Sequence, residues 1–432
     1  MATKPSHILG MNARQWYTKT NSKESCQFGF SKLKSKELLA RHHIPTPRTL
    51  HVFESIQDLD NINWELVPVP FVVKPASGSA GKGIWSIKKK LKNKSVWVRG
   101  SGEHVTASDL NLHVGNILDG EYSTWGSNYR ALIEEFISGH PALAKYSYRG
   151  TPDIRVVVFN SVPVMAMARI PSKASDGRAN LDQGALGIGI DIATGITTYG
   201  ISGKSGRIKY FPGSKRKVNG IKIPQWSKVL EMAVKAAIAA NYNFMGADMF
   251  IHQENGPMVV ELNGFPGLSI QLANNAGLKR RLERVEGLEV RDAGHGVKIG
   301  QALFAESFAD EILSQQTVPV VGLSPELEVF ADNNKPHATT AIVDTKRSRS
   351  IISEQFADSL GLLDLDDLLF RQQEKLEGRL PVIGVKFKLQ GKVVTTAMVA
   401  SKRLNRTKHQ IELGRRDLQG FLIGQGPIAE PS

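Results

Sequence analysis

The chain has 432 residues, of which 41% are hydrophobic and 22% are charged, a composition typical of globular proteins and long enough for about three domain-sized units. Cys26 is the only cysteine, which excludes an internal disulfide bond and a thiolate metal cluster. The N-terminal stretch MATKPSHILGMNARQW has no apolar core of signal-peptide length, and no later run reaches the approximately 18 apolar residues of a membrane span. We therefore expect a cytoplasmic protein without a membrane partner.

The formal net charge of +14 is unevenly distributed. Residues 317–432 contain 16 Lys+Arg and 14 Asp+Glu, a balance of +2, so residues 1–316 carry the other +12. The runs KLKSK, KKKLKNK and GSKRK hold much of this excess, and we interpret them as solvated loop and helix faces. No aromatic residues interleave with them as base stacking requires, which disfavours a nucleic-acid partner but stays compatible with an anionic substrate.

The N-terminal third alternates helical and extended patterns. SKLKSKELLARHH, residues 31–43, predicts a helix capped by Ser31 and stopped by the prolines of the following IPTPRTL. FVVKPASGSAGKGIWSI, residues 71–87, predicts a strand, a glycine-rich loop and a second strand. HVTASDLNLHVGNIL, residues 104–118, predicts a short amphipathic helix, and ALIEEFI, residues 131–137, predicts a strand that ends in two acids.

The middle of the chain is richer in hairpins. DIRVVVFNSVPVMAMARI, residues 153–170, predicts a β-hairpin that turns at Asn160 and Ser161, and residues 171–189 have the polar composition of a functional loop. QWSKVLEMAVKAAIAANYN, residues 225–243, predicts a helix. Mixed helices and antiparallel hairpins indicate the α+β class.

A change in the sequence pattern near residue 317 suggests two domains. QALFAESFADEILSQQ, residues 301–316, predicts a closing helix, and short β-rich segments separated by turns follow it. We therefore expect one domain over residues 1–316 and a smaller β domain over residues 317–432.

The stretch GADMFIHQENGPMVVELN, residues 246–263, gives the strongest hairpin signal. If Asn255-Gly256 is a two-residue turn, Phe250 lies opposite Glu261 and Asp248 opposite Asn263. Because side chains alternate along a strand, Asp248, Glu261 and Asn263 then share one face. Their oxygen donors suit Mg²⁺, which favours phosphates as its other ligands. The alternative is a salt-bridged or hydrogen-bonded strand end.

The glycine-rich loop SGSAGKG, residues 77–83, is a candidate phosphate site. Glycine permits the torsions that let backbone N–H groups wrap anionic oxygens, and Lys74 and Lys82 add positive charge. The loop is not a Walker loop, because only two residues separate Gly78 from Gly81 and Gly83 follows Lys82. The alternative is a mobile surface turn.

These motifs occur together and in order, and over residues 7–285 the chain resembles the ATP-grasp ligases, specifically the RimK-type α-L-glutamate ligases. The resemblance rests on the segments HILGMNAR, SKLKSKELLARHHIPTP, FVVKPASGSAGKGI, EEFI, PDIRVVVF, ASDGRANLDQGA and GADMFIHQENGPMVVELNGFPGL. It implies an ATP-grasp fold, in which the nucleotide binds between two α+β lobes, and an enzyme that uses ATP and Mg²⁺, with Mn²⁺ as an alternative metal.

The resemblance also implies roles for individual residues. Lys32 and Lys74 match the lysines that hold the ATP phosphates, and the loop that contains Ser79 and Gly81 matches the flexible lid over them. The remaining nucleotide-binding positions match the adenine-reading strand, the acid beside the nucleotide and the loop that reaches the triphosphate: Glu135, Phe136, Asp153, Arg178 and Asn180. Asp248, Glu261 and Asn263 match the magnesium ligands.

The implied reaction activates a carboxylate by phosphoryl transfer, after which an amine attacks the acyl phosphate. Arg155, Arg169 and Arg178 are the catalytic candidates, because guanidinium groups bind carboxylates and stabilise an oxyanion. The alternative for Arg155 and Arg169 is a strand-end salt bridge. Asp182 stands where the family pattern has histidine, and a negative group there would alter substrate choice or weaken turnover.

The C-terminal part resembles the retropepsin-like fold of the proteases that accompany RimK-type ligases. HATTAIVDTKRSRSII and HQIELGRRDL match its two halves, and Asp344 would be the catalytic aspartate. Such a half-sized fold needs a homodimer to bring two aspartates together. Lys346, however, occupies the position of the turn glycine, so we favour an inactive binding or dimerisation module over a working peptidase.

The leading hypothesis is thus a carboxylate–amine ligase that adds an amino acid, with glutamate as the favoured candidate, to a peptide, protein or small amine. One alternative is an aspartic-type peptidase whose C-terminal domain carries the activity. Another is a non-catalytic ATP-binding scaffold whose basic face binds RNA.

Overall fold

The structure is a computed structural model that describes residues 4–78, 81–122, 129–203, 206–305, 319–364, 368–374 and 377–424. The chain divides into two compact units, of which the first comprises Met1–Ile190 and Thr197–Arg284 and the second comprises Asp191–Ile196 and Val285–Ser432. The predicted boundary between residues 316 and 317 lies outside the described residues and stays a prediction. No helix in the described part of the chain is long and apolar enough to span a membrane.

Short helices surround the sheets of the first unit. They are α1 (Met11–Thr18), α2 (Lys23–Phe30), α3 (Lys32–Arg41), α4 (Asp58–Asn61), α5 (Ala107–Leu118), α6 (Pro141–Ala144), α7 (Trp226–Ala239), α8 (Ile270–Asn274) and α9 (Leu278–Glu283). Ser31 caps α3 as predicted, because its hydroxyl oxygen accepts a hydrogen bond from the N–H of Lys34.

The first sheet of this unit is antiparallel, with the spatial order β1-β6-β2-β3-β4-β5. Its strands are β1 (Thr49–Phe53), β2 (Phe71–Pro75), β3 (Trp85–Lys90), β4 (Val96–Arg99), β5 (His104–Thr106) and β6 (Ala131–Glu135). Phe71 and Trp97 of the sheet pack with Leu110 and Val114 of α5 in one buried core. The predicted strand–loop–strand over residues 71–87 is confirmed as the β2–β3 hairpin.

The second sheet is also antiparallel and follows the order β11-β10-β9-β8-β7-β12-β13. Its strands are β7 (Asp153–Phe159), β8 (Val162–Ile170), β9 (Leu186–Ile190), β10 (Thr197–Ser202), β11 (Gly206–Ile208), β12 (Phe244–His252) and β13 (Gly256–Asn263). The predicted turn at Asn160 and Ser161 is confirmed, since both residues have the left-handed backbone of a two-residue hairpin turn.

The predicted register of the β12–β13 hairpin is wrong. His252 pairs with Gly256, so the turn contains three residues, and a bulge between Asp248 and Met249 shifts the register once more. Asp248 consequently lies opposite Glu261, and Asn263 lies opposite Gly246. Because both changes are needed to reach this register, a turn signal alone could not predict it.

The second unit is a sheet barrel with the order β15-β16-β21-β17-β20-β19-β18, closed by the additional β15–β19 pairing. Its helices are α10 (Ala293–Leu303) and α11 (Glu354–Ser359). Its strands are β14 (Val320–Val321), β15 (Glu326–Phe330), β16 (Pro336–Asp344), β17 (Ile351–Ser353), β18 (Leu368–Glu374), β19 (Gly378–Leu389), β20 (Lys392–Ser401), β21 (Ile411–Gly414) and β22 (Leu422–Ile423). The sequence predicts a helix over residues 301–316, but α10 already ends at Leu303, Phe304 and Ala305 are not helical, and residues 306–316 lie outside the described residues.

His113 of α5 is buried beside the base of the glycine-rich loop. Its ring stacks on Trp85 with centroids 3.9 Å apart, and its Nε2 lies 3.0 Å from the carbonyl oxygen of Gly83. Burial lowers the pKa of His113 to about 4, a shift that the Gly83 carbonyl opposes and that the nearby positive charge of Arg99 reinforces. The folded protein therefore keeps this histidine neutral over a wider pH range than the unfolded chain does.

We predict that His113 makes the first unit less stable in weak acid. The unfolded chain takes up the proton near pH 6.5, whereas folded His113 resists it until about pH 4, so the free energy of unfolding falls as the pH drops between these values. Chemical denaturation at pH 7 and pH 5 should show a loss about 1–2 kcal/mol smaller in His113→Gln than in the unsubstituted protein.

The matched control is His42→Gln, because His42 is exposed at the end of α3. Equal acid sensitivity in the His113 variant and the unsubstituted protein would contradict the assignment.

Candidate functional site

A buried carboxylate of the first sheet joins two lysines, one from α3 and one from β2. Glu134 of β6 is only 3% exposed, and its carboxylate oxygens lie 2.7 Å from Lys36 Nζ and 2.5 Å from Lys74 Nζ. Burial raises the pKa of Glu134, but Lys74 and Lys36 outweigh burial and hold the pKa below its ordinary value. Glu134 therefore holds Lys74, a predicted phosphate ligand, in place. The sequence alone did not indicate this role for Glu134.

Lys32, the other predicted phosphate ligand, experiences charges from both sheets. Its ammonium group donates a hydrogen bond to the carbonyl oxygen of Gly78, 3.2 Å away. Burial lowers the pKa of Lys32, Glu261 of the second sheet opposes this shift, and Lys74 reinforces it. The charges of Lys74 and Glu261 therefore both act on Lys32, and the nucleotide-binding roles of these residues stay a prediction.

The glycine-rich loop is described except at residues 79 and 80, so Ser79 lies outside the described residues. Gly81 and Gly83 have φ values of 71° and 69°, in the left-handed region that favours glycine. A Cβ at Gly83 would also lie 2.6 Å from the Tyr122 ring, whereas one at Gly81 would meet no atom within 4 Å. Backbone conformation explains Gly81, and close packing is a second reason for Gly83.

The predicted adenine-reading residues lie at the end of β6. The Glu135 carboxylate accepts a hydrogen bond from the N–H of Arg48, 2.7 Å away, and its own N–H donates to the Arg48 carbonyl oxygen. The N–H of Phe136 donates to the carbonyl oxygen of Pro70, and the Lys88 ammonium lies 3.3 Å from the Phe136 ring centroid. These two backbone N–H groups are therefore already hydrogen-bonded to neighbouring strands and loops.

A row of charged side chains crosses the second sheet. Arg169 lies opposite Asp153, Arg155 opposite Asp248, and Asp248 opposite Glu261, so the row passes from β8 to β13. Arg155 donates two hydrogen bonds of 2.6 Å to Asp248, and Arg169 donates two of 2.5 Å to Asp153 and one of 2.7 Å to Asp248. Such bidentate pairs hold their side chains in fixed orientations.

The balance between burial and neighbouring charges differs for the two aspartates of this row. Burial raises the pKa of Asp153 to about 6 against the opposing charge of Arg169. Burial also favours a raised pKa at Asp248, but Arg155 and Arg169 outweigh it and hold the pKa below its ordinary value. Asp248 is thus the ionised centre of the row. The salt bridges of Arg155 and Arg169 correspond to the alternative that the sequence analysis stated for these arginines.

The predicted metal ligands share one face of the β12–β13 hairpin, although in a different register from the predicted one. Both Asp248 oxygens are bound by arginines, and the amide oxygen of Asn263 accepts a hydrogen bond from the N–H of Phe265, 2.9 Å away. Among the described residues, no group of three His, Cys, Asp or Glu side chains is placed to hold a metal ion. The oxygen donors of Glu261 and Asn263 fit a hard cation, whereas Asp248 would first have to exchange an arginine.

The loop with Arg178 and Asn180 is held by its own polar groups. Arg178 is exposed and donates to the Gln183 side chain at 3.3 Å, and the Asn180 side chain caps a short 3-10 helix by accepting the N–H of Asp182, 3.0 Å away. Close packing attaches this loop to its neighbour, because a Cβ at Gly150 would lie 1.8 Å from the carbonyl oxygen of Gly177. Arg178 is the one catalytic candidate that is exposed.

The two predicted halves of the C-terminal fold meet in the second unit. β16 and β21 pair in parallel, and Asp344 aligns with Gly414. The Asp344 carboxylate accepts a hydrogen bond from the N–H of Lys346 at 2.9 Å and lies 3.7 Å from Arg347 Nε. Asp344 is therefore at a strand end, among cationic neighbours.

Comparison with known proteins identifies one family. The model of the family described as sugar-transfer associated ATP-grasp matches residues 11–287. No curated protein sequence matches the chain.

Many solved structures are similar to this chain, and the following three are among them. ATP-grasp ligase PsnB complexed with minimal precursor is 16% identical, with a TM-score of 0.33, over 61% of this chain and 60% of that chain. D-alanine–D-alanine ligase from Bacillus anthracis is 14% identical, with a TM-score of 0.33, over 64% of this chain and 70% of that chain. VanG D-Ala:D-Ser ligase from Enterococcus faecalis is 15% identical, with a TM-score of 0.35, over 62% of this chain and 63% of that chain.

We predict that Glu134 is essential for the stability of the first unit. Glu134→Gln would leave the ammonium groups of Lys36 and Lys74 buried without their shared counter-charge, so the free energy of unfolding at pH 7 should fall by about 3 kcal/mol. Denaturant titration measures this loss. The adjacent Glu135→Gln is the matched control and should cost about 1 kcal/mol or less. Equal losses in the two variants would contradict the role of the buried cluster.

Proposed function

The chain belongs to the sugar-transfer associated ATP-grasp family, and on this premise we propose that it is an ATP- and Mg²⁺-dependent ligase that joins a carboxylate to an amine. The observation that carries the proposal is the placement of two lysines and a carboxylate at the glycine-rich loop: Lys32 donates a hydrogen bond to the carbonyl oxygen of Gly78, and Lys74, just before this loop, is held by Glu134. Lysines and a carboxylate so arranged suit a nucleotide triphosphate with its metal.

In this proposal the lysines bind phosphate and Glu134 positions one of them. Lys32 and Lys74 hold the phosphate oxygens, and the Lys74 ammonium is oriented beforehand by Glu134. The loop around Gly81 closes over the phosphates, Glu135 and Phe136 border the adenine, and Asp153 lies beside the nucleotide. In this arrangement all of these groups bind one ATP molecule.

The metal would be held mainly by Glu261 and Asn263. Mg²⁺, or Mn²⁺ in its place, neutralises charge on the phosphates when it is bound. Asp248 acts first through Arg155 and Arg169, which it orients by the salt bridges described above. Any further role of Asp248 as a metal ligand requires one of these arginines to move.

The reaction has two balanced steps. A carboxylate oxygen of the donor attacks the γ-phosphorus, ADP leaves, and an acyl phosphate forms. The acceptor amine then attacks the acyl carbon, inorganic phosphate leaves, and the amine releases a proton. Arg178 is exposed and therefore available to bind the donor carboxylate, whereas Arg155 and Arg169 are held by the carboxylates of Asp153 and Asp248.

The donor that we favour is an amino acid, with glutamate first, as the resemblance to RimK-type ligases implies. The acceptor is an amine of a peptide, a protein or a small molecule. Because the matching family is described as associated with sugar transfer, amino sugars belong among the acceptors to be tested. Asp182, in the same loop as Arg178, places a negative group there that would alter substrate choice or weaken turnover.

We predict ADP release that depends on ATP, Mg²⁺, a donor amino acid and an amine together. Purified protein should release ADP with a panel of amino acids, glutamate included, and of amines, amino sugars included, and mass spectrometry should detect the amide. Glu261→Gln and Lys74→Met should each lower kcat/KM at least about 100-fold, because each removes a charge that acts on the transferring phosphoryl group.

Two outcomes would argue against this function. ATP binding without ADP release across the whole panel would favour the scaffold alternative, and salt-sensitive RNA retention would support it further. Unchanged turnover in Glu261→Gln would remove the metal and phosphate roles from the β12–β13 hairpin.

For the second unit we propose a retropepsin-like module that binds or dimerises rather than cleaves. The parallel pairing of β16 with β21 supports the retropepsin-like interpretation, because it brings Asp344 beside Gly414. The Asp344 carboxylate is engaged by the N–H of Lys346 and lies 3.7 Å from Arg347 Nε, and Lys346 stands where the turn of a working peptidase has glycine. A homodimer through this unit is part of the proposal.

We predict that Asp344→Asn leaves amide formation unchanged within about twofold, because the ligase proposal gives this residue no part in the reaction. A fluorogenic peptide panel should show no cleavage that the substitution abolishes. Peptide hydrolysis that disappears in Asp344→Asn would instead establish the peptidase alternative, and analytical ultracentrifugation of both proteins would report the oligomeric state.

A further inference from the structure

Two loops of the first unit form an exposed basic surface. Its members are Lys145, Arg149, Lys209, Lys215, Arg216 and Lys217, all of which are exposed. We call these six residues the basic surface. They lie outside the proposed nucleotide and metal site, and the proposed reaction uses none of them.

Aromatic stacking joins the two loops. The rings of Tyr146 and Phe211 are nearly parallel, with centroids 4.4 Å apart. The Arg216 guanidinium lies 5.8 Å and the Lys145 ammonium 5.1 Å from the centroid of the Tyr146 ring. Tyr210 pairs with Lys217 in a backbone bridge. The positive charges are therefore held together by packing and do not depend on one loop alone.

Few acidic groups are available to neutralise this surface. Residues 192–230 contain eight Lys+Arg and no Asp or Glu, and residues 136–152 contain Lys145 and Arg149 and no Asp or Glu. Asp176 lies 3.9 Å from Arg149, at the edge of the surface. A cluster of exposed like charges repels itself, so an anionic partner would relieve that repulsion.

The basic surface adjoins the loop that carries Arg178 and Asn180. The N–H of Tyr148 donates a hydrogen bond to the carbonyl oxygen of Pro171, 3.0 Å away. Gly150 and Gly177 pack closely, because a Cβ at Gly150 would lie 1.8 Å from the carbonyl oxygen of Gly177. A chain bound along the basic surface would thus be led toward the proposed site of amide formation.

We propose that the basic surface binds an acidic peptide segment of the ligase's acceptor, through the carboxylate side chains of that segment. The assignment to a peptide acceptor rests on the proposed function, whereas the surface itself does not. The Tyr146 ring that joins the two loops already contacts Phe211 and Arg216, so it is not an open face for base stacking, and nucleic-acid binding through the exposed Tyr210 is an outcome that the test distinguishes. Lysine and arginine side chains form charge-assisted hydrogen bonds with peptide carboxylates as they do with phosphates.

Fluorescence anisotropy without ATP tests the proposal. The probe is a labelled oligoglutamate of about ten residues, whose binding should weaken steeply with added salt because it rests on charge pairs. The triple substitution Lys209→Gln, Lys215→Gln and Lys217→Gln should weaken binding about tenfold or more, and arginine at the same three positions should preserve it. Turnover of a small amine acceptor should stay unchanged in both variants.

The matched control removes three exposed lysines from another basic run. Lys89→Gln, Lys92→Gln and Lys94→Gln lower the net charge by the same amount but lie outside the basic surface. They should therefore change oligoglutamate binding less than about twofold. Equal weakening in the two glutamine triples would overturn the proposal. It would also be overturned if the unsubstituted protein failed to bind oligoglutamate, or bound an oligothymidylate of equal length more tightly.

These outcomes are distinct from failure of the ligase. Lys74→Met should bind oligoglutamate like the unsubstituted protein, because Lys74 lies outside the basic surface. Binding of oligoglutamate together with an absence of ADP release would remove the proposed function and its acceptor while leaving an acidic-peptide surface. ADP release without such binding would remove the surface proposal alone.

Discussion

The charged centre of the first unit depends on Asp248 being held by two arginines at once. Three oxygen–nitrogen contacts of 2.6 to 2.7 Å bind its carboxylate to Arg155 and Arg169, and the latter also binds Asp153. A buried carboxylate is unfavourable without such partners, so the row of charges is held as a set rather than as separate pairs. The register of β12 and β13 places Glu261 and Asn263, the adjacent hard-cation donors, on the same face of the sheet as Asp248.

Buried charges are also paired at the first sheet, where positive rather than negative charges are in excess. Lys36 and Lys74 share Glu134, and Lys32 lies nearby with its charge opposed by burial and supported by Glu261. Each sheet therefore presents side chains that are oriented before any ligand binds, which lowers the cost of ordering them during a reaction. The excess of positive charge near Lys32 suits phosphate, and the excess of negative charge near Glu261 suits a metal ion.

Elements with strong local signals were predictable from the sequence. The Ser31 cap, the Asn160–Ser161 turn and the β2–β3 hairpin depend on residues close together in the chain. The register of β12 and β13 was not predictable in this way, because a three-residue turn and a bulge each shift the pairing. Aromatic rings also accompany the GSKRK run, since Phe211 lies close to it and Tyr146 approaches from a distant loop. The GSKRK run itself contains no aromatic residue, so the approach of Tyr146 from a distant loop could not be predicted from that run.

The sequence by itself determined which oxygen and nitrogen groups are available, their order along the chain, and the residues that cap, turn or break its elements. These follow from local backbone preferences and side-chain periodicity, which act over a few residues. Only the tertiary structure decided that Glu134, rather than Glu135, is buried between Lys36 and Lys74, and that Asp248 binds arginines. Those choices arise because burial makes an unpaired charge costly, and the available partner is set by strands far apart in the chain.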